Sequence, residues 1–239
     1  MVLLQRVSDL VSWYWSFVDD TWTDIQFAIE RDPAATFWLE VLLAYPGIHA
    51  LMLHRLSGAL LRQGVPVLPR LLSHLGRNFT GIEIHPGAQI AAPCLIDHGM
   101  GVVIGETARI GRRCHLHQGV TLGGTSTMRK RRHPTFGDEV LVGANASIVG
   151  AVTIGTGARI GAGAVVVSNV PQHSTVVGVP GHVVAYYDPG DDTVLRLPDP
   201  EHDRIEALEQ SVSELRLELL QLREQAAAAE SRAGETAAG

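Results

Sequence analysis

A six-residue period runs through the middle of this chain and limits what it can fold into. From residue 81 onward a large aliphatic or aromatic residue recurs at every sixth position, with a short insertion after the third and a longer one after the seventh. The positions are Ile84, Ile90, Ile96, Ile104, Ile110, Leu116, Leu122, Phe136, Val142, Ile148, Ile154, Ile160 and Val166. Neither a helix nor an alternating strand has this period, whereas a solenoid of hexapeptide repeats does.

Each hexad predicts one short strand and one corner, and three hexads close a triangular coil. A small or β-branched residue follows four positions after most of the large ones, which leaves room beside them in the interior. These residues are Ala88, Cys94, Ala108, Cys114, Val120, Val140, Ala146, Val152, Ala158, Ala164 and Val170. We therefore predict a left-handed parallel β-helix over residues 81–183. With strands about 4.8 Å apart, it should have a little over four coils and a length of roughly 20 Å.

The residues before the repeats predict an N-terminal α-helical region over residues 1–80. Apolar residues spaced three or four apart indicate an amphipathic helix near the start. Asp32-Pro33 resembles a helix start, with Asp32 as N-cap, and Pro46-Gly47 interrupts that helix. Further helices are expected over 48–63 and 66–79.

The residues after the repeats predict a linker and a last helix. Residues 184–202 are rich in proline and aspartate, so we expect a linker. Residues 203–230 carry a heptad pattern that predicts a C-terminal α-helix, either in a coiled coil or folded back on the body. The pattern consists of Ile205, Leu208, Val212, Leu215, Leu219, Leu222 and Ala226. We expect a disordered tail over 231–239.

The composition of the chain indicates which binding partners and which cellular compartment to expect. The formal net charge is −6 and the pI is about 6.0, so we expect neither nucleic acid nor a membrane as a partner. The apolar stretch over 39–61 carries charged residues and a proline, which argues against a membrane span. Two cysteines form no disulfide framework, and the start lacks the basic region of a signal peptide. We expect a cytoplasmic protein.

Function in a solenoid is usually placed in its insertions, because the coils only build a core. The first insertion holds Asp97-His98-Gly99, and the second runs from Gly123-Gly124-Thr125 to Arg132-His133-Pro134. Glu83 precedes His98 by a little less than one circuit, so both should lie near the same edge. A carboxylate beside an imidazole raises its basicity, which suits a general base.

Several blocks of the sequence resemble the serine O-acetyltransferases. They are Glu83–Ala88, Asp97-His98, Val103–Ala108, Gln118–Thr125, Arg132-His133-Pro134, Val142-Gly143-Ala144, Ile160–Ala164 and Gly178-Val179-Pro180. Arg31–Ala34 and Gly47–Ala50 resemble the N-terminal region of that family, and the resemblance covers roughly residues 28–184. It implies a homotrimer, alone or paired into a dimer of trimers, that transfers acetyl from the cosubstrate acetyl-CoA to L-serine for cysteine biosynthesis.

The resemblance also implies a role for individual residues. His98 would deprotonate the serine hydroxyl with Glu83 as its acidic partner, where the family usually has Asp, and His133 would lie beside the reacting oxygen. Asp32 and Asp97 would hold the serine ammonium, and Arg132 would hold its carboxylate. These charges suit their ligands. Gly124, Thr125, Ala144 and Ala162 would let the pantetheine arm of CoA lie close to the backbone.

Other interpretations remain open. The acceptor could instead be homoserine or an amino sugar, because one methylene changes binding by only about 1–3 kcal/mol. His115-Leu116-His117 invites a metal site, because alternate strand residues share a face and some hexapeptide proteins are zinc carbonic anhydrases. No third histidine follows in residues 118–132, so we expect no metal and no hydratase activity.

Two further expectations concern the cysteines and the tail. Cys94 and Cys114 occupy equivalent small-residue positions, so they should pack as small apolar residues. Many family members use a terminal isoleucine to enter the active site of the next enzyme. Because this tail ends in Ala-Ala-Gly, no sulfhydrylase complex is expected through it.

Overall fold

A computed structural model describes residues 2–190 (2–10 as backbone only), 193–197, 204–205 and 207–222. The expectations for Ala226 and for the tail over 231–239 lie outside the described residues. The helices of the body are α1 (Val2–Arg31), α2 (Trp38–Ala44), α3 (Pro46–Arg62) and α4 (Leu68–Thr80). The strands are β1 (Glu83–Ile84), β2 (Gln89–Ile90), β3 (Cys94–Ile96), β4 (Val103–Ile104), β5 (Arg109–Ile110), β6 (Cys114–Leu116), β7 (Thr121–Gly123), β8 (Thr135–Phe136), β9 (Leu141–Val142), β10 (Ser147–Val149), β11 (Thr153–Ile154), β12 (Arg159–Ile160), β13 (Val165–Val166), β14 (Ser174–Val177), β15 (His182–Asp188) and β16 (Thr193–Arg196).

The strands form the predicted parallel β-helix. Every third strand pairs in parallel, so one sheet has the order β1-β4-β7-β10-β13, which we call sheet A. Sheet B has the order β11-β8-β5-β2, and sheet C contains β3-β6-β9-β12-β14. A bridge from Ile154 to Val170 continues sheet B by one more residue. The solenoid therefore has five coils, slightly more than predicted, because it continues beyond the last hexad as far as β14.

The interior of the solenoid follows the hexad pattern. Twelve of the thirteen large residues are buried, and Ile90 in the first coil is partly buried and packs against them. All of the small or β-branched residues are buried as well. Equivalent residues stack directly, as Leu122 does between Ile104 and Ile148. Burying a Leu or Ile side chain contributes roughly 1.5–3 kcal/mol, so this column is the main source of stability for the prism.

The N-terminal helices pack on the first coil. Leu95 of β3 points outward from the prism and joins a second apolar cluster with Ile25, Phe27 and Ile48. Gly47 lies against the same strand, since a Cβ at this position would come within 2.1 Å of the carbonyl oxygen of Ile96. The helices thus fix residues 32–48 close to the first insertion.

Two predictions about segment boundaries need correction. Asp32 follows the end of α1 and lies in a turn, whereas α2 begins only at Trp38. Asp-Pro also favours a turn, and the amide of Ala35 donates to the carbonyl of Asp32 at 3.0 Å. Part of the predicted linker over 184–202 is strand: β15 pairs antiparallel with β14 and with β16. The consecutive valines and tyrosines of β15 favour a strand despite the prolines and aspartates around them.

The C-terminal unit contains the predicted helix. Residues 204–205 and 207–222 are helical, and the heptad positions from Ile205 to Leu222 are exposed. Whether they form a coiled coil stays a prediction. In the part of the chain that the structure describes, no helix is both long and apolar enough to cross a membrane.

Candidate functional site

The two insertions lie at different corners of the triangular prism. The first, after β3, joins sheet C to sheet A, and we call this edge the CA corner. The second, between β7 and β8, joins sheet A to sheet B, and we call this edge the AB corner. Sheet A separates the two corners within one chain. The predicted site residues therefore fall into two groups.

Asp97 is the centre of the group at the CA corner. Its Oδ2 lies 3.3 Å from Nδ1 of His117 and 3.7 Å from Nε2 of His115, both on the next coil. Its Oδ1 lies 3.8 Å from Nε2 of His98. Burial, followed by the charge of His117, lowers the pKa of His115. The carboxylate of Asp97 is thus surrounded by three imidazoles, one of them from the adjacent residue.

His98 is the accessible member of this group. Its side chain is 75% exposed, and its φ of +57° lies in the left-handed region that few non-glycine residues adopt. The same conformation occurs at other corner residues such as Arg113 and Glu139, so it belongs to the corner geometry. It leaves the imidazole free to meet a substrate from solvent.

Asp32 reaches the same corner from the helical region. Its Oδ2 accepts a hydrogen bond from the Tyr45 hydroxyl at 2.6 Å, and its Oδ1 accepts one from the amide of Ala34 at 2.8 Å. These bonds lower the pKa of Asp32, and the charges of His98 and His115 act in the same direction. Burial and the bond to Asp32 raise the pKa of Tyr45 to about 12. A fixed carboxylate therefore stands near the Asp97 group.

The first insertion packs beside the strand that begins at Glu83, but the side chains of Glu83 and His98 contact other residues. The amide of Gly101 donates to the carbonyl of Gly81 at 2.9 Å, so the first insertion packs on the residues just before Glu83. The carboxylate of Glu83 accepts a hydrogen bond from Arg77 of α4 at 3.0 Å. The predicted partner of His98 therefore bonds Arg77 in this structure, through one of its two carboxylate oxygens.

Arg132 and His133 form the group at the AB corner. Nη2 of Arg132 donates to Oε2 of Glu106 at 2.7 Å. The backbone amides of Arg132 and His133 both donate to Oγ1 of Thr107. The amide of Thr107 donates to Nδ1 of His133 at 3.1 Å. Because an amide can only donate, the proton of the neutral ring must be on Nε2. Burial lowers the pKa of His133, which favours this neutral form.

Gly105 makes space for the His133 ring. A Cβ at Gly105 would lie 2.1 Å from Cδ2 and from Nε2 of that ring, and one at Gly124 would lie 3.0 Å from Nε2. Side chains at these two positions would displace the imidazole. Gly105 and Gly124 therefore determine where the ring of His133 can lie.

The four residues predicted to contact CoA are divided between the same two corners. Ala144 and Ala162 lie on consecutive coils at the CA corner, where the amide of Gly163 donates to the carbonyl of Ala144 at 2.8 Å. Gly124 and Thr125 begin the second insertion at the AB corner. Each corner thus carries some residues predicted to bind serine and some predicted to bind CoA.

The two cysteines are buried inside the prism, as predicted. Their Cα atoms are register partners on β3 and β6, and both thiols are free. Burial raises the pKa of Cys114 to about 12 and that of Cys94 well above its usual value. Both therefore remain protonated at neutral pH, and neither is a nucleophile.

Sequence reasoning missed three residues that hold the site together. Tyr45 bonds Asp32, and Glu106 and Thr107 bond Arg132 and His133. Glu106 and Thr107 stand in a block already singled out, at the corner one coil below the second insertion. Counting residues per coil could have placed Glu106 and Thr107 beside Arg132 and His133. The contact of Tyr45 with Asp32 depends instead on how α2 and α3 pack.

Comparisons with known proteins agree on one family. The family model described as bacterial transferase hexapeptide (six repeats) matches residues 133–168. The serine acetyltransferase of Synechococcus elongatus is 51% identical over 205 residues, which cover 81% of this chain and 83% of that protein.

Solved structures give the same result. The serine acetyltransferase of Neisseria gonorrhoeae in complex with serine is 41% identical with a TM-score of 0.68, and the match covers 70% of this chain and 68% of that one. A serine acetyltransferase in complex with CoA is 38% identical with a TM-score of 0.68, covering 71% of this chain and 70% of that one.

Proposed function

Because the chain belongs to the serine acetyltransferase family, we propose that it transfers the acetyl group of acetyl-CoA to the hydroxyl of L-serine. The products are O-acetyl-L-serine, a precursor for cysteine synthesis, and free CoA. Residues 81–183 form the acetyltransferase domain, and residues 1–80 supply Asp32. The observation that carries the proposal is the charge arrangement: carboxylates and an exposed imidazole at one corner, and a guanidinium beside a buried imidazole at the other.

Serine is recognised by its two charged groups. Asp32 and Asp97 take the ammonium, and the low pKa of Asp32 keeps that carboxylate ionised at neutral pH. Arg132 takes the carboxylate, with Glu106 holding its guanidinium at 2.7 Å. An arginine can bind a carboxylate through two parallel hydrogen bonds, which fixes the orientation of the ligand. The hydroxyl is then presented to His98.

His98 acts as the general base. It removes the hydroxyl proton as the serine oxygen attacks the thioester carbonyl of acetyl-CoA. The bond between the carbonyl carbon and sulfur then breaks, and the departing CoA takes the proton from His98 and leaves as the thiol. Glu83 supports this imidazole as its acidic partner, while its Oε2 bonds Arg77. His133, neutral and protonated on Nε2, would donate a hydrogen bond near the reacting oxygen.

We further propose that the active site is completed between neighbouring subunits of a homotrimer. The serine and CoA residues lie at two corners that sheet A separates, so one chain does not surround its substrate. Around a threefold axis, the CA corner of one prism can face the AB corner of the next. Gly124 and Thr125 of one subunit would then line the CoA groove opposite Ala144 and Ala162 of its neighbour.

The C-terminal helices are proposed to form a coiled coil on this trimer. Their exposed heptad residues need a partner, and three copies held by the body would be at high local concentration.

The acceptor is tested by following CoA release from acetyl-CoA with L-serine, L-homoserine and amino sugars. We expect the highest kcat/KM with L-serine. A higher value for another acceptor would contradict the proposed substrate.

The shared site is tested by complementation. His98→Ala and Arg132→Ala each disable one corner, and the two variants are co-expressed with different tags and purified as mixed trimers. If sites form between subunits, each trimer that contains both variants has both corners intact at one of its three sites, so about one third of the sites regain activity. No recovery in verified mixed trimers would place the whole site within one chain.

A further inference from the structure

Three metal-binding side chains meet at the CA corner. Asp97, His115 and His117 each offer one ligand atom, and these atoms all lie within 4.8 Å of one another. The two histidines are alternate residues of the same chain segment, so they project from the same face, with ring centroids 4.4 Å apart. The carboxylate joins them from the first insertion, one coil below.

The spacing of the donor atoms suits a small divalent cation. A tetrahedral ion with ligands at 2.0–2.1 Å separates neighbouring ligand atoms by about 3.3 Å. Oδ2 of Asp97 lies 3.3 Å from Nδ1 of His117 and 3.7 Å from Nε2 of His115. These two separations match that spacing to within a few tenths of an ångström, and the third, between the two imidazole nitrogens, is no more than 4.8 Å.

One of these atoms lacks any other partner. Nε2 of His115 is buried and has no hydrogen-bond partner among the described residues. A distance of 3.7 Å to Asp97 is too long for a hydrogen bond. A buried polar atom left without a partner destabilises the protein, and a metal bond would satisfy it. His117, at 29% exposure, keeps the cluster open to solvent.

We propose that Asp97, His115 and His117 bind a divalent ion of the Zn²⁺ class, and that this ion blocks serine. Two imidazoles and one carboxylate are donors that suit Zn²⁺ and neighbouring transition metals better than Mg²⁺ or Ca²⁺. With three protein ligands, a coordination position stays open to water. The ion takes the carboxylate of Asp97, which would otherwise hold the serine ammonium. This second half rests on the proposed function, whereas metal binding does not.

Metal binding is tested first, without substrate. Tag-free full-length enzyme is stripped with EDTA, freed of chelator and titrated with Co²⁺, whose tetrahedral complexes absorb in the visible range. We expect bands that saturate at one ion per chain and disappear when Zn²⁺ displaces Co²⁺. His115→Gln and His117→Gln should each weaken binding by at least the roughly 10–100-fold typical of losing a supporting contact. His74→Gln, an exposed histidine on α4, is the matched control and should bind normally.

The proposed inhibition of serine binding by the ion is tested by steady-state kinetics. Each variant is compared with its own metal-free activity, so any basal effect of a substitution cancels. We expect Zn²⁺ to compete with serine, to be reversed by EDTA, and to inhibit the His74→Gln control but not His115→Gln or His117→Gln.

The outcomes separate the two halves of the proposal. Absence of the Co²⁺ bands, or unchanged bands in both glutamine variants, would overturn the site. If Zn²⁺ competed only with acetyl-CoA, or if the metal-free enzyme needed Zn²⁺ for activity, the proposed inhibition of serine binding would be wrong. If serine is not the acceptor, Co²⁺ still binds while the competition with serine is absent.

Discussion

Protonation of His54 should limit the stability of this protein in mild acid. His54 lies on α3 with only 8% of its surface exposed. Burial, helped by the charges of Arg55 and Arg62, lowers its pKa from 6.5 to about 4. The native state therefore keeps this ring neutral at pH values where the unfolded chain binds a proton.

The sign and size of the effect follow from proton linkage. Above pH 6.5 the ring is neutral in both states and contributes nothing to the pH dependence. As the pH falls from 6.5 to 4, the unfolded state binds more protons, so the free energy of unfolding decreases. At 1.36 kcal/mol per pKa unit, the lowering of the pKa from 6.5 to about 4 corresponds to a loss of about 3 kcal/mol at pH 4.

Asp24 opposes this trend in the wild-type protein, so a variant is needed to isolate His54. Burial raises the pKa of Asp24 to about 6 despite its 2.6 Å contact with Arg55. Its native carboxyl therefore binds a proton before the unfolded one does, and this favours folding between about pH 6 and pH 4. His54→Gln removes only the imidazole, so the difference between the two proteins cancels the Asp24 contribution.

The assay is urea unfolding followed by circular dichroism between pH 4 and pH 7.5, at one fixed chain concentration because subunit association affects stability. Relative to His54→Gln, the wild type should lose about 3 kcal/mol across this range. His74→Gln, which removes an exposed histidine, should run parallel to the wild type. If the free energies of unfolding of the wild type and of His54→Gln changed in parallel with pH, the lowered pKa of His54 would be refuted.

Four further predictions concern the site and the core. His98→Ala should lower turnover by about 10²–10⁴-fold with unchanged unfolding, since the side chain is 75% exposed; near-normal turnover at neutral pH would exclude it as the base. Arg132→Ala should raise the KM for serine much more than that for acetyl-CoA, and equal effects would indicate loop folding instead. Gly105→Ala should lower kcat, because the new Cβ displaces the His133 ring, and an unaffected kcat would remove His133 from the reaction. Leu122→Ala should lower the free energy of unfolding by about 2–5 kcal/mol in urea titrations, and Leu141→Ala, on a half-exposed outward position, by clearly less.

Much of the fold could be predicted because a solenoid is locally ordered. Each residue contacts its equivalents one coil away, so a repeat in sequence becomes a column in space. For this reason the positions of Ile104, Leu122 and Ile148 in the interior followed directly from the six-residue period. The insertions were equally visible, because they interrupt that period.

The sequence by itself determined the prism, its interior and the two blocks that carry the site chemistry. Only the tertiary structure decided which side chains meet: Glu83 with Arg77, Asp32 with Tyr45, and Arg132 with Glu106. It also brought the carboxylate of Asp97 to His115 and His117, whereas the sequence spacing had placed only the two histidines on one face. The reason is physical. Buried apolar residues are fixed by the repeat, whereas polar side chains on insertions and helix ends choose partners through rotamers and through the packing of elements that do not share the repeat.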